Sequence, residues 1–190
     1  MYKLCKTEQS AQRQRQLEAG LLAVMGKTRY EDISISDLCE QIGVPRKTFY
    51  RYFSGKDGAL HALIDHTLMS FETFPVATDR RTLLSDMEKF FRFWQHQKPL
   101  LDALQRSKLS GLLIQRAVDY SISVEAFPSR FLPGESRYVQ QHVVMFGVCG
   151  LLSMTLQWHH SGYDRSVQEM AKLAVRLLTQ ALFPEAQNLL

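Results

Sequence analysis

Residues 33–56 read ISISDLCEQIGVPRKTFYRYFSGK, and this stretch decides the fold of the chain. Its first half predicts a short helix from Ile35 to Gln41, with Ser34 placed to accept a backbone N–H as the N-cap. Gly43 follows in a tight turn, where a glycine can take a left-handed backbone conformation at little cost. A second short helix begins at Pro45, because proline lacks the N–H that a first helical residue leaves unpaired anyway. Two short helices joined in this way form a helix-turn-helix.

The second helix of this motif is basic and contains no acid. Its positive charges, together with the one just after it, are Arg46, Lys47, Arg51 and Lys56. Phe49 and Phe53 are four residues apart, so they share one face of the helix and should pack inward. The remaining cationic face suits the major groove of DNA. On charge alone, a solvated basic helix on an ordinary helical protein is an equally good interpretation. The capping signal, the turn glycine and the aromatic pair together favour DNA binding.

This stretch resembles the DNA-binding domain of the TetR (tetracycline-repressor-like) family of regulators. The resemblance is carried by Ser34-Ile35-Ser36-Asp37-Leu38, Gly43-Val44, Thr48-Phe49-Tyr50-Arg51-Tyr52-Phe53 and Lys56. It covers residues 7–60 and departs from the family pattern at Gly58 and at Ala59, where the family usually has a larger apolar residue. The resemblance implies an all-α protein of about nine helices in two domains. A three-helix DNA-binding domain is expected at 1–55, and a helical effector-binding and dimerisation domain at 56–190.

Within that resemblance, the residues that open the recognition helix are expected to read base edges, namely Arg46, Lys47 and Thr48. Other polar residues of the motif are expected to contact phosphates, which set the register but carry little sequence information. This second group is Ser34, Ser36, Tyr50, Arg51, Tyr52 and Lys56. The expected partner is a palindromic double-stranded operator, because a two-fold dimer presents two such helices.

The positive charge of the chain is concentrated where the motif lies. The 190 residues carry a net charge of +4. Residues 1–60 hold ten Lys or Arg against seven Asp or Glu, whereas the other 130 residues hold thirteen against twelve. A domain that binds phosphates needs such an excess. The alternative function is a protein-binding co-activator or adaptor of the same fold that does not itself read DNA. The basic, acid-free helix argues against that alternative.

Cysteine usage and hydropathy indicate the cellular compartment in which the protein is expected. Cys5, Cys39 and Cys149 are far apart and odd in number, so neither a disulfide framework nor a zinc site is expected. The N-terminal residues lack the apolar segment of a secretory signal. The longest strongly apolar stretch, 143–156, is shorter than the roughly 20 residues that a membrane span needs. We therefore expect a cytoplasmic protein without membrane contact.

No arrangement of residues typical of catalysis is apparent. His159 and His160 are adjacent, so they point to different parts of a helix surface, while His61 and His66 are five residues apart rather than three or four. Residues 55–58 lack the upstream glycine and the following Ser or Thr of a phosphate-binding loop. We expect no enzyme activity, no metal and no cofactor.

Apolar residues recur with helical spacing through the rest of the chain. Beyond the motif, helices are expected at about 8–25, 56–74, 80–97, 100–107, 109–127 and 136–160, and from 166 onward. Residues 75–79 are the best candidate for a joint between domains. Because no strand-like alternation appears in the sequence, the predicted fold is all-α.

The last two helices are expected to form a hairpin. Residues 143–156 are apolar all round, and a helix without a polar face should be covered on both sides. In the family that this chain resembles, such a hairpin pairs with its copy in a second subunit to form a four-helix interface. The residues expected at that homodimer interface are Gly147, Gly150, Leu151, Met154, Trp158, Met170, Ala174 and Leu177. The alternative is a hairpin packed wholly within its own domain.

Aromatic residues are frequent between residues 80 and 127. Such residues are usually core, but the resemblance implies a cavity for an effector in this region. Ligand cavities are mostly apolar with a few polar groups, so the effector is expected to be small and apolar or aromatic. The resemblance implies that this effector releases a repressor from its operator. The expected lining is Phe71, Phe90, Trp94, Tyr120, His142, Met145 and Cys149.

Overall fold

The structure is a computed structural model that describes residues 2–3, 5–75, 82–123 and 134–179. Within these ranges the chain forms nine α-helices and one 3-10 turn at Tyr30–Asp32. The helices are α1 Glu8–Met25, α2 Ile35–Gln41, α3 Arg46–Tyr52, α4 Lys56–Thr73, α5 Leu83–His96, α6 Lys98–Arg106, α7 Ser110–Ser123, α8 Arg137–His160 and α9 Val167–Thr179. The all-α prediction is therefore confirmed. Residues 76–79 of the predicted joint lie outside the described ranges.

Local signals in the sequence place the helix ends. The Ser34 hydroxyl accepts the backbone N–H of Asp37 at 3.1 Å and caps α2 as predicted. Gly43 has a φ of 65°, the left-handed conformation that the turn between α2 and α3 requires. Pro45 differs by one position, because it is the N-cap of α3 rather than its first helical residue. Helix ends shift by a residue in this way without changing the fold.

The chain divides into two compact units. The first unit consists of Met1–Ser70 and Pro99–Tyr120, and the second consists of Phe71–Lys98 and Ser121–Leu190. Hydrogen bonds draw α6 into the first unit: the Arg106 guanidinium donates to the Met25 carbonyl at 2.9 Å, and the Ser107 hydroxyl accepts the N–H of Tyr30 at 2.9 Å. The domain division predicted at 1–55 and 56–190 stays a prediction.

The core of the first unit holds the helix-turn-helix together. The apolar stripe of α1 is buried, and so are the inward-facing residues of α2 to α4: Leu17, Leu21, Met25, Leu38, Phe49, Phe53, Leu60 and Ile64. The rings of Phe49 and Phe53 lie 5.2 Å apart, as their spacing predicted. Burial of these two rings fixes which face of α3 points outward.

In the second unit, α9 packs along α5, and the C-terminal half of α8 closes the core. The buried cluster comprises Met87, Phe91, Trp158, Val167, Met170, Ala171 and Ala174. Three of these, Trp158, Met170 and Ala174, are among the residues predicted for the dimer interface. They are at most 6% exposed within a single chain, so little of their surface is open to a second subunit, and their place at a dimer interface stays a prediction. The helical period marks apolar faces, but does not say which face meets α5.

By length and composition alone, α8 could cross a membrane, and it is the one helix of the described residues that passes this test. Its most apolar window has a mean hydropathy of 1.4 and is 17% buried. A helix that packs against protein passes the same test, so this finding is weak evidence for a membrane segment.

Candidate nucleic-acid interface

The recognition helix α3 is anchored by its inner face and open on its outer face. Phe49 is fully buried, and Phe53, the residue after the helix, is 1% exposed. Arg46, Lys47 and Arg51 are exposed, and 43% of Tyr50 is accessible. The helix therefore presents positive charge and hydrogen-bond donors on a rigid support, as recognition in the major groove requires.

Arg46 and Lys47 occupy the first turn of α3, where a recognition helix comes nearest to base edges. The Arg46 guanidinium lies 6.0 Å from the ring centroid of Tyr50, the outer limit of a cation–π contact. Thr48 is half-buried beside them. Arginine and lysine in this position can donate to O6 and N7 of guanine.

The start of α2 offers two exposed hydroxyl groups, those of Ser34 and Ser36. The Ser34 hydroxyl accepts from the Asp37 amide and also donates to the Asp37 carboxylate at 2.7 Å. Ser36 is exposed in the first turn. The two predicted phosphate contacts thus lie on the surface, with one of them already engaged in capping.

Two predicted phosphate contacts also hold the domain together. Tyr52 is 5% exposed and its ring packs beside Phe53, so its contact with the DNA backbone stays a prediction. Lys56 directs its ammonium group inward, where it donates to the carbonyl oxygens of Tyr30 and Ile33, each at 2.7 Å. These bonds tie the 3-10 turn to the start of α4, and the predicted phosphate contact of Lys56 stays a prediction.

The same turn is held by a buried phenol. The Tyr30 hydroxyl donates to the Asp57 carboxylate in the first turn of α4. Burial, followed by this hydrogen bond, raises the pKa of Tyr30 far above its usual range, so the phenol stays protonated and keeps donating. Burial also raises the pKa of the Cys39 thiol, which lies in the core of the first unit.

A polar groove of about 610 Å³ lies beside the end of the recognition helix. Its lining comes from the first half of α1 and the last turn of α3: Thr7, Gln9, Ser10, Gln12, Arg13, Gln16, Arg51 and Tyr52. Arg13 donates to Gln16, one turn further along α1, at 2.9 Å. Of the lining residues, only Arg51 and Tyr52 are among the DNA contacts predicted from the sequence. The available signal was the absence of any acid between Gln9 and Gln16.

Comparison with known families agrees with this geometry. Residues 20–63, which run from the middle of α1 into α4, match the family model described as bacterial regulatory proteins of the tetR family. The helix-turn-helix of this chain belongs to the tetR family of bacterial regulatory proteins. This domain identifies the chain as a DNA-binding transcriptional regulator, and the family is one of regulators rather than enzymes. No curated protein sequence matches the chain.

Solved structures share the fold of this TetR-family regulator. A fatty acid degradation regulator FadR from Bacillus halodurans is 13% identical, with a TM-score of 0.62, and the match covers 94% of this chain and 98% of that one. A tetR-family regulator from Streptomyces coelicolor is 20% identical, with a TM-score of 0.57 and coverage of 88% and 79%. FadR from Bacillus subtilis in complex with stearoyl-CoA is 13% identical, with a TM-score of 0.57 and coverage of 89% and 99%. At these identities the likeness shows the fold alone.

The residues predicted to line an effector cavity of the TetR-family regulator fall in different places. Phe71, Phe90 and Trp94 belong to one aromatic cluster of the second unit, in which Phe90 lies 6.1 Å from Phe71 and 6.3 Å from Trp94. Tyr120 belongs to the first unit. The described part of the chain leaves His142 and Met145 exposed on α8, where His142 Nδ1 lies 2.8 Å from the Tyr138 carbonyl oxygen. Cys149 is half-buried. The lining as a whole stays a prediction.

The remaining residues predicted for the dimer interface are divided between the surface of α8 and its packed side. Gly150 is exposed and Gly147 is half-buried, whereas Leu151 and Met154 pack against the core of the second unit. Leu177 on α9 is half-buried. α8 also has an exposed apolar face, of which sequence reasoning selected only Gly150. This α8 apolar face consists of Val139, Val143, Phe146 and Gly150, which follow the four- and three-residue spacing of one helical stripe.

Proposed function

We propose that this regulator is a dimeric repressor that binds a palindromic operator and is released by a small apolar or aromatic effector. The observation that supports operator reading best is the exposed first turn of α3, where Arg46 and Lys47 stand without a neighbouring acid on a core-anchored helix. Repression and release are what the resemblance to the family implies. A regulator of this kind acts on chromosomal DNA, so the proposed location is the cytoplasm.

Base reading is assigned to Arg46 and Lys47, with Thr48 beside them. Phosphate binding is assigned to Ser34, Ser36, Tyr50 and Arg51, and the groove beside α3 extends this assignment. Amide, hydroxyl and guanidinium groups of the kind that line the groove are usual partners of phosphate oxygens. A backbone of DNA that continues past the recognition helix would meet Gln12, Arg13 and Gln16.

The proposed dimer forms through the α8 apolar face. Phe146 is 71% exposed and Val143 is 40% exposed in the single chain, and a two-fold interface would bury both against their copies. Gly147 and Gly150 leave space there, because a Cβ added to either would meet no atom within 4 Å. Two recognition helices separated by one DNA turn, roughly 34 Å, would then read the two half-sites.

The effector class rests on the aromatic cluster around Phe71, Phe90 and Trp94. One similar structure contains stearoyl-CoA, a ligand with a long apolar chain, which agrees with an apolar effector for this fold. In this proposal the effector binds the second unit and shifts α4, which runs from the helix-turn-helix into that unit.

The decisive experiment measures binding to a DNA fragment from upstream of the protein's own gene by fluorescence anisotropy, over a salt series and with a scrambled duplex as competitor. Tight binding that survives the competitor supports a specific repressor. The control variant is Arg165→Ala, at an exposed arginine between α8 and α9, which should bind as the parent does. If neither this fragment nor a genomic pull-down yields a preferred sequence, the adaptor function replaces the proposed one.

A further inference from the structure

The backbone N–H of Lys3 caps the C-terminal end of the recognition helix. α3 has seven residues and passes directly into extended backbone at Phe53, with φ −127° and ψ 140°. The last carbonyls of a helix have no partner within it. The Lys3 N–H donates to the Tyr52 carbonyl at 3.0 Å, and Tyr2 forms an antiparallel bridge with Phe53. The N-terminal residues thus cap α3 from outside.

Two side chains hold this N-terminal strap, Tyr2–Lys3, in place. Gln14 on α1 is 2% exposed and donates to the Lys3 carbonyl at 3.2 Å. The Tyr2 hydroxyl donates to Asp65 on α4 at 2.9 Å. Burial, then the hydrogen bond to Asp65, raises the pKa of Tyr2 to about 12, so this phenol remains a donor at neutral pH. The strap is therefore anchored to two helices as well as to α3.

Asp65 has a second partner on α7. The Arg116 guanidinium donates to Asp65 Oδ1 through Nε at 2.8 Å, and to Oδ2 through Nη2. Oδ2 is the oxygen that also accepts from Tyr2. Asp65 is 7% exposed, and a carboxylate buried to that degree needs such partners. Any movement of Arg116 away from Asp65 would change the bond that holds Tyr2.

We infer that the strap Tyr2–Lys3 positions the recognition helix, and that Asp65 links this strap to Arg116 on α7. The inference rests on DNA recognition through α3, and all of its residues lie in the first unit. Tyr2, Lys3 and Arg116 are positioning residues in this assignment, and none of them touches DNA. A shift of α7 would then alter the orientation of α3 through Asp65 and the strap.

The test of the strap compares Lys3→Pro with Lys3→Ala in the full-length protein. Both variants remove the lysine charge, but only proline removes the N–H that caps α3. Tyr2 is in a β-bridge, so its extended backbone is compatible with a following proline. Hydrogen exchange of the α3 amides should be about five- to tenfold faster in Lys3→Pro than in Lys3→Ala, the size expected for one backbone hydrogen bond. Amides of α9 should exchange equally fast in both.

DNA binding separates positioning from a general loss of structure. Affinity for a duplex selected from a random library on the parent protein should fall by a similar factor in Lys3→Pro, relative to Lys3→Ala. Affinity for a scrambled duplex, which reports phosphate charge, should be equal in the two variants. Equal exchange rates and equal affinities in the two variants would overturn the strap. Failure to select any preferred duplex would count against operator reading. The exchange measurement would still show whether the strap stabilises α3.

The link to α7 is tested with Arg116→Gln and Arg116→Lys. The glutamine variant should speed exchange of the α3 amides several-fold, and lysine should restore part of the difference because it keeps the charge but loses the two-pronged geometry. Tyr2→Phe keeps the ring and removes only the hydroxyl, so it should speed exchange of the α3 amides as Arg116→Gln does. It tests the link even if Arg116→Gln unfolds the protein. Unchanged α3 exchange in both Tyr2→Phe and Arg116→Gln would overturn the link.

Discussion

Gly20 on α1 and Ile42 at the end of α2 approach so closely that a Cβ on Gly20 would lie 2.5 Å from Cγ2 of Ile42. The Cβ of Ile42, which rotation of its side chain does not move, would be 3.3 Å away, so a tight contact would remain after such a rotation. This close approach sets the spacing between the first helix and the helix-turn-helix.

Gly20→Ala should therefore destabilise the protein, although alanine is the better helix former by about 1 kcal/mol. We expect a net loss of about 1–3 kcal/mol from overpacking, measured by urea unfolding. Gly111→Ala is the matched control, because a Cβ there meets no atom within 4 Å, and it should be neutral or stabilising. Ile42→Leu removes the branch at Cβ and should recover part of the loss in the double variant. Equal stabilisation by both alanines would contradict the close approach.

Lys56→Met should lower stability rather than weaken the electrostatic contact with DNA. The residue loses charged hydrogen bonds to two carbonyl oxygens of the segment before α2, for which we expect about 1.5–3 kcal/mol. The salt dependence of binding by the folded variant should match that of the parent. Arg51→Ala is the comparison variant, because Arg51 is exposed. This variant should reduce the slope of log affinity against log salt concentration by about one phosphate contact. A stable Lys56→Met protein with a flattened salt slope would restore the phosphate contact predicted from the sequence.

Arg46→Ala should relax selectivity at one base pair in each half-site. A bidentate arginine contact discriminates against the wrong base by about 1–3 kcal/mol, so the preference at that position should fall by about one order of magnitude. Selection from a library randomised at single positions measures this directly. The control is Arg51→Ala, which should weaken binding to all sequences alike. An Arg46→Ala variant with the selectivity of the parent would remove Arg46 from base reading.

His61 should make the protein less stable in acid. Burial lowers the pKa of His61 from its ordinary value of 6.5, and the positive charge of Arg116 lowers it further. Because the folded state binds the proton less readily than the unfolded state, the stabilisation is complete above pH 6.5 and is lost as the pH falls below that value. His61→Gln should lose less stability than the parent between pH 7.5 and 5, by urea unfolding. His160→Gln, at an exposed site on α8, should follow the parent, and identical slopes in all three would contradict this assignment.

The helix-turn-helix could be predicted because its signals are local. A capping serine, a glycine turn and a pair of inward phenylalanines lie within one stretch of sequence. The role of Lys56 could not be predicted in the same way. Its partners Tyr30 and Ile33 are 26 and 23 residues away, and their carbonyl oxygens come within reach only when the 3-10 turn packs against α4. Likewise, Asp65 and Arg116 are 51 residues apart.

The α8 apolar face shows a different limit of prediction from the sequence. Residues 143–156 of α8 are apolar on all sides, yet one side of the helix meets α5 and α9 of the same chain while another side remains open. Trp158 belongs to the first side and Phe146 to the second. Both are large and aromatic, so composition does not separate them. Only the packing of α9 along α5 decides which of the two is available to a partner.

Phe146→Glu should therefore convert the proposed dimer into a monomer. The side chain is 71% exposed in the single chain, so the substitution should leave the fold of each unit intact, whereas a charge at the centre of a two-fold apolar interface meets its own copy. Sedimentation equilibrium measures the change in mass, and operator affinity should fall with it because each monomer reads one half-site. Met69→Glu is the matched control, as Met69 is 48% exposed on α4 and lies outside the α8 apolar face. A Phe146→Glu protein that sediments as the parent does would place the interface elsewhere and leave the α8 apolar face without its proposed partner.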